Sequence, residues 1–375
     1  MAKRLIYQFL ICFAYLLLFQ FSYAQTIAEK GLLLDKLTNK PVDGASVFIN
    51  ASGIGGISAA DGTFDLSKFI QAQFGHPVLT IAAMGYETAT YNLANKKGTV
   101  VIYLNPLIRE LQTVTVTASE KNGWEKYGKD FIESFLSYSE FSKLCKLENP
   151  EVLKFYYDAK NNILKVVARE PLIIQNRALG YKITYWLENF EYNFNTRILF
   201  YSGLTFFDDL ILPNKRKAQS AKWRLNRAAA YHGSVLHFVR SVHTGTLATS
   251  GFEVKRLKRV EGSRNGKFTN VLDSRILVES DFSDTIENQK IIQFPDYLHV
   301  VYDKELEELP YLIKLQPFKR PNPARQTSIV KLVGTNSVEI FANGHLEPAV
   351  AFFLEGYWSY EKLDKLLPLD YKEKN

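Results

Sequence analysis

At 375 residues the chain exceeds one ordinary domain, and 46% hydrophobic with 23% charged residues is the balance of a folded globular protein. Two cysteines exclude a Cys-rich zinc motif, and a net charge of +7 is too mild to name a partner. Aromatics at 14%, from 21 Tyr and 26 Phe, favour β-rich structure, because flat rings fit a pleated, half-buried surface.

The chain opens with Lys3 and Arg4, followed by an apolar run from Leu5 to Phe21 broken by Gln8 and Gln20. Ser22-Tyr23-Ala24 then places small residues where a signal peptidase reads, so residues 1–24 are expected to be a signal peptide cleaved between Ala24 and Gln25. The alternative is a retained N-terminal anchor, for which the run is at the short end. Cys12 does not suit a lipoprotein, since Ile11 before it is branched and the position lies mid-run. Cleavage leaves Cys145 as the one cysteine, with no internal disulfide, and the loss of Lys3 and Arg4 lowers the charge from +7 to +5.

Residues 25–106 are predicted to form short strands divided by turns. Gly31 to Asp35 and Ala45 to Ile49 are the first two strands, separated by turn signals at Asn39-Lys40-Pro41 and Asp43-Gly44. Gly53 to Gly56 is a loop, Asp61-Gly62 signals a hairpin, and Phe64 and Leu66 alternate after it. Val78 to Ile81 leads to Gly85-Tyr86, and Val100 to Leu104 closes the unit. This spacing, without helical period, predicts a small antiparallel sandwich.

The order Gly31, Asp35, Pro41, Gly44-Ala45-Ser46-Val47, Asp61-Gly62-Thr63-Phe64, Gly85-Tyr86 resembles the carboxypeptidase regulatory-like domain. The resemblance implies a transthyretin-like seven-stranded β-sandwich of the kind that begins many Bacteroidetes envelope proteins. Residues 107–122 are expected to be a linker. Within it Glu110 to Ala118 resembles the segment that follows such modules, and a similar string occurs near the start of TonB-linked transporters. Without that resemblance it is an alternating Val/Thr strand or an extended connection.

Residues 123–375 are expected to be an α+β domain with antiparallel strands, so the fold class is mainly β with α+β character. This region also resembles the uncharacterised domain that follows the module in such proteins, which implies no activity. Trp124, Phe131 and Phe135 are spaced for a helix. Val152 to Tyr157 and Ile163 to Val167 form a predicted hairpin about Asn161-Asn162. Tyr181, Ile183, Tyr185 and Leu187 alternate, then the phase slips to Phe190, Tyr192 and Phe194, which predicts a bulge. Asn195-Thr196 turns the chain into Arg197 to Tyr201. Residues 214–245 read as two helices broken near Gly233. Strands are expected at Arg275 to Val278, Tyr297 to Tyr302, Ile329 to Leu332 and Val338 to Phe341, and a closing helix from Trp358 to Leu367.

A carboxypeptidase zinc site needs a His and a Glu three residues apart, and none of His76, His232, His237, His243, His299 or His345 has one. His345 and Glu347 are two apart. In one continuous helix His232 and His243 share a face but stand about 16 Å apart along the axis, and His237 points elsewhere. Gly262 to Phe268 is too short between its glycines for a phosphate loop, and Phe268 stands where a hydroxyl is needed. Gly233-Ser234 lacks the flanking glycines of a nucleophile elbow. Asp208-Asp209 and Glu305, Glu307, Glu308 are acid pairs of a kind usually solvated in surface turns. No catalytic residue, metal ligand or cofactor is therefore assigned.

Leu210 to Phe252 has no Asp or Glu, and it carries Lys215, Arg216, Lys217, Lys222, Arg224, Arg227 and Arg240, with Lys255, Arg256, Lys258 and Arg259 close behind. On a helix these would form a cationic face for an envelope protein, lipid headgroup or glycan phosphate, or a solvated face neutralised from elsewhere in the fold. Nucleic acid does not suit an exported chain, and the oligomeric state is not legible. Tyr181, Tyr185, Trp186, Tyr192 and Tyr201 form a candidate sugar platform, although their alternation favours core positions. The expectation is a non-catalytic accessory or interaction protein in the periplasm or at the outer membrane, with the sandwich as a docking spacer. The alternatives are a glycan- or peptidoglycan-acting enzyme and an outer-membrane TonB-linked component.

Overall fold

The computed structural model describes residues 29–71, 78–95, 99–107, 119–211, 217–261, 268–315 and 322–373. The signal-peptide region with Ala24 and Gln25, the Glu110–Ala118 segment, His76, Lys215, Arg216 and the Gly262–Lys267 loop lie outside them.

The first unit has strands β1 (Lys30–Asp35), β2 (Ser46–Ile49), β3 (Gly55–Ile57) and β4 (Thr63–Asp65), the short helix α1 (Ser67–Gln71), then β5 (Val78–Ala82), β6 (Ala89–Asn92) and β7 (Val100–Leu104). They form a sandwich of two sheets, β4-β1-β7 and β3-β2-β5-β6. Leu33, Val47, Phe64, Leu79, Ile81 and Ile102 fill the space between them. The expected seven strands are present, but the sandwich is not wholly antiparallel, because β1 runs parallel to β7. These are the first and last strands of the unit, and no hairpin between them dictates direction.

The residues behind the resemblance pair up physically. A Cβ on Gly31 would stand 2.2 Å from the Phe64 ring, so the ring packs only over a glycine. The Tyr86 hydroxyl donates to Asp35 Oδ2 at 2.9 Å, while Asp35 Oδ1 accepts from the Leu37 and Thr38 amides. Asp61-Gly62 does not make the expected hairpin, since β3 and β4 belong to different sheets. It turns a corner between them, at φ +76°, and a Cβ on Gly62 would press to 2.5 Å from the Leu33 carbonyl oxygen.

Beyond the first unit, α2 (Gly123–Leu136) covers a six-stranded sheet. Its strands are β8 (Cys145–Leu147), β9 (Leu153–Asp158), β10 (Ile163–Ala168), β11 (Leu172–Asn176), β12 (Tyr181–Asn193) and β13 (Ile198–Asp209). Phe131 and Phe135, one turn apart, lie against Phe155, Phe190 and Tyr185. The hairpin β9–β10 is as expected. So is the bulge in β12, where Leu187 faces Gly203 and Asn189 faces Ser202, leaving Glu188 as the extra residue.

The rest comprises α3 (Lys217–Tyr231), α4 (Val235–Thr244), α5 (Leu247–Ser250), β14 (Phe252–Glu261), β15 (Phe268–Leu277), β16 (Ser283–Ile286) and β17 (Gln289–Ile292). These are followed by β18 (Tyr297–Leu306), α6 (Leu309–Leu315), β19 (Arg325–Leu332), β20 (Val338–Ile340), β21 (Leu346–Glu347), β22 (Phe352–Gly356) and α7 (Tyr357–Tyr360). The antiparallel sheets are β15-β14-β18-β19-β22 and β16-β17-β20-β21. The break between α3 and α4 falls at Gly233, φ +75°, as predicted. Residues 123–373 hold two main apolar cores, one about β8–β13 and one between α4 and β14–β22. The described strands form open sheets rather than the closed cylinder a barrel would need.

The closing helix expected over Trp358–Leu367 is limited to α7. Trp358 enters one core and Leu363 and Leu367 the other, which no single helical stripe could do. The Leu363 amide leaves the helical ladder and donates to the Phe135 carbonyl at 3.3 Å.

The sandwich is joined to the next sheet rather than acting as a spacer. Phe48 stacks on Trp186 with ring centroids 4.6 Å apart. The loop after β2 lies along β13, with the Ala51 amide donating to the Thr205 carbonyl (2.7 Å) and the Phe207 amide to the Ser52 carbonyl (3.0 Å). On its other side the Leu369 amide donates to the Ala51 carbonyl at 2.7 Å, and Asp370 Oδ1 accepts from the Gly53 amide at 2.9 Å.

Candidate functional site

The cationic residues that look continuous in sequence are divided by the fold. Lys222 and Arg224 are exposed and make no ion pair among the described residues. Lys217 opens α3, but its side chain is not described. Arg227 faces inward. Its Nε donates to the Leu179 carbonyl at 2.7 Å, Nη2 donates to Asp209 Oδ1 at 3.1 Å, and the guanidinium lies 3.8 Å over the Tyr181 ring. Arg227 thus leaves the candidate anion-binding set, because Trp223, Arg227 and Ala230 share the buried face of α3. Arg240 donates to the carbonyls of Asn343, Leu369 and Tyr371, and Arg259 makes two bonds to the Glu355 carboxylate. A count of charge along a sequence carries no direction, and here the direction decides. The aromatic platform also dissolves: Tyr181 and Tyr185 are buried and Trp186 lies under Phe48.

The break at Gly233 corrects the expectation that His237 points away from His232. His232 and His237, on either side of it, have ring centroids 5.5 Å apart. His237 Nδ1 accepts from the Gly233 amide at 3.2 Å, and burial, with His232, Lys304 and Arg240 nearby, lowers its pKa to about 4, so it stays neutral. His232 Nε2 lies 3.1 Å from Glu373 Oε1. Among the described residues no three His, Cys, Asp or Glu side chains group as metal ligands.

Sequence reasoning missed a charged cluster in the interior. Lys365, its side chain 6% exposed, donates to Glu308 Oε1 at 2.6 Å, has Glu361 at 3.5 Å and lies 5.3 Å over the rings of Tyr357 and Tyr360. The Tyr360 hydroxyl donates to Glu308 Oε2 at 2.7 Å. Beside them Ser139 donates to Asp364 through a short hydrogen bond, and the Asn176 amide donates to the Asp364 carbonyl at 2.8 Å. Burial raises Asp364 to about 6 and Glu361 to about 7, outweighing the nearby lysine. Lys365 is held by Glu308 and Asp364 by Ser139, from distant parts of the chain, which makes the cluster a clamp on the C-terminal segment. A charged run at the end of a sequence gives no sign that it will be buried.

Among the described residues the hairpin β14–β15 presents an exposed sheet edge. β15 is the edge of its sheet, and nine of its ten residues are exposed. They include Phe268 (63% exposed) and Ile276 (54%), with Val271 and Leu272 between them. Lys258 is exposed on the neighbouring strand, opposite Val271. Such an edge offers a row of backbone donors and acceptors, and natural proteins usually blunt or cover it. At the base of the hairpin Arg275 is paired with Asp281, whose other oxygen accepts from the Val278 amide. Next to that pair opens a cleft of about 620 Å³, reached from the turn before β16, the β17–β18 connection and the β19–β20 connection.

The comparisons with known proteins agree with the first part of this architecture. Residues 29–116 match the family model of the CarboxypepD_reg-like domain, so the β-sandwich belongs to that class of module. The match covers all seven strands and reaches beyond the expected boundary at residue 106. No curated protein matches the chain.

Proposed function

We propose that the protein is an exported, non-catalytic accessory protein of the cell envelope. Its regulatory-like sandwich braces a larger recognition domain, and that domain captures an extended segment of a partner protein along β15. The observation that carries this reading is the open edge of β15, which pairs regularly with β14 over Phe268–Leu272 and again at Ile276–Leu277, with large apolar side chains exposed. A segment added there would gain backbone hydrogen bonds and place alternate apolar side chains against Val271 and Ile276. Lys258 on the adjacent strand favours acidic residues in that segment. The Lys365 cluster supports a structural use of these interior charges, since Lys365 is answered by Glu308 and Glu361 and Asp364 by Ser139.

The test is site-specific photo-cross-linking from the position of Phe268 in cell-envelope extract, with the cross-linked peptides sequenced. One partner protein attached through an extended acidic-apolar segment, and lost in the Val271→Lys, Ile276→Lys double variant, is expected. Cross-links only to a second copy of this chain, or no cross-link, would overturn the docking reading. Turnover of peptidoglycan or glycan by the purified protein would overturn the non-catalytic one.

A further inference from the structure

The cleft below the hairpin has a chemistry different from that of the β15 edge. Phe294, half-buried and packed against the second core, lines it. Around it stand Ser280 and Asp284, before and within β16, Gln293 after β17 and Asn336 before β20, all exposed. Asp284 uses one carboxylate oxygen for the Thr285 amide, and its other oxygen is uncommitted. The side chains of Ser280, Gln293 and Asn336 make no hydrogen bond among the described residues. Two carboxamides, a hydroxyl and a carboxylate thus offer both donors and acceptors around an aromatic ring.

This combination selects among ligands. No lysine or arginine lines the cleft, and the neighbouring Arg275 is already neutralised by Asp281. A phosphate, sulfate or carboxylate ligand would meet the Asp284 charge without a countercharge. A purely apolar ligand would leave several polar groups unanswered. A ring that carries hydroxyls around its edge and C–H groups on its face meets both demands. The volume falls within the range of about 300–1,000 Å³ typical of small-ligand pockets. We infer that this cleft is a binding site for a neutral saccharide, with Gln293, Asn336 and Asp284 bonding its hydroxyls and Phe294 beneath its C–H face. The site is independent of the β15 edge: a saccharide here requires no partner on the hairpin.

Isothermal titration of the full chain with maltose, cellobiose and N,N′-diacetylchitobiose tests the inference. At least one should bind saturably, and Gln293→Ala and Asn336→Ala should each weaken that binding about tenfold, as the loss of one or two hydrogen bonds implies. Asp284→Asn retains an acceptor and should keep most of the affinity for a neutral sugar. The Val271→Lys, Ile276→Lys variant should bind the sugar as the wild type does, so failure of the docking reading and failure of this one are separable. Absence of binding by all three sugars, or binding unchanged in both alanine variants, would overturn the inference. The substituted side chains are exposed, and unchanged circular dichroism would show that the fold persists.

Discussion

Lys365 shows how a single side chain can hold several parts of the chain together. Its ammonium lies against Glu308 and Glu361 and over two tyrosine rings, and removing it would leave carboxylates enclosed without a counter-ion. Lys365→Met is expected to lower stability by about 3–5 kcal/mol in urea unfolding, the range for breaking a buried pair from one side. The neighbouring carboxyls make a second prediction. Asp364 and Glu361 both have pKa values raised by burial, to about 6 and about 7, so the folded chain binds their protons more tightly than the unfolded one. Their contribution is complete below the ordinary carboxylate range near pH 4 and is lost as pH rises through those two values. For Asp364 the change is on the order of 3 kcal/mol. Asp364→Asn should flatten the fall in stability between pH 4 and 6, measured as urea midpoints across that range.

At the scale of elements, the break between α3 and α4 can be tested at one position. Gly233 has φ +75°, and a Cβ there would stand 2.4 Å from Gln326 Oε1 and 2.7 Å from the Tyr302 ring. Gly233→Ala is expected to cost about 1–3 kcal/mol from backbone strain and crowding, read as a lower melting temperature. This break was legible in the sequence, as were the β12 bulge, where the apolar phase slips between Leu187 and Phe190, and the β9–β10 hairpin about Asn161-Asn162. These features depend on neighbours along the chain. The illegible ones depend on distant partners. Asp61-Gly62 has the chemistry of a hairpin turn, but the next strand pairs with β1 in the other sheet. Lys255 to Arg259 reads as a basic run, yet it lies within β14, where Val254 and Leu257 point into the core. The cationic set was only partly readable for the same reason, since Arg227 finds its carbonyls and Asp209 through tertiary packing. Of β15 only the end was foreseen, as a strand over Arg275–Val278, and its open edge and the cleft were not, because exposure of Phe268 and Ile276 is a property of the sheet order.

Across the whole molecule the C-terminal segment is a strap. It enters both cores through Trp358, Leu363 and Leu367, and Leu369 and Asp370 then reach the loop of the first sandwich. Arg240 holds it from α4 by the carbonyls of Leu369 and Tyr371. A chain ending at Leu367 should keep its two main cores but release the sandwich, seen as a larger radius in small-angle scattering and faster proteolysis between residues 107 and 122. Wild-type dimensions in the truncated chain would show that Phe48 on Trp186 and the β13 contacts suffice. The strap also sets an order of events during synthesis. The Ala51 carbonyl and Gly53 amide emerge from the ribosome more than 300 residues before Leu369 and Asp370, the groups that hold them. The sandwich can therefore complete its own core co-translationally but cannot be locked in place until residues 369 and 370 have been made, so a product interrupted before them would carry a finished first unit without its fastening.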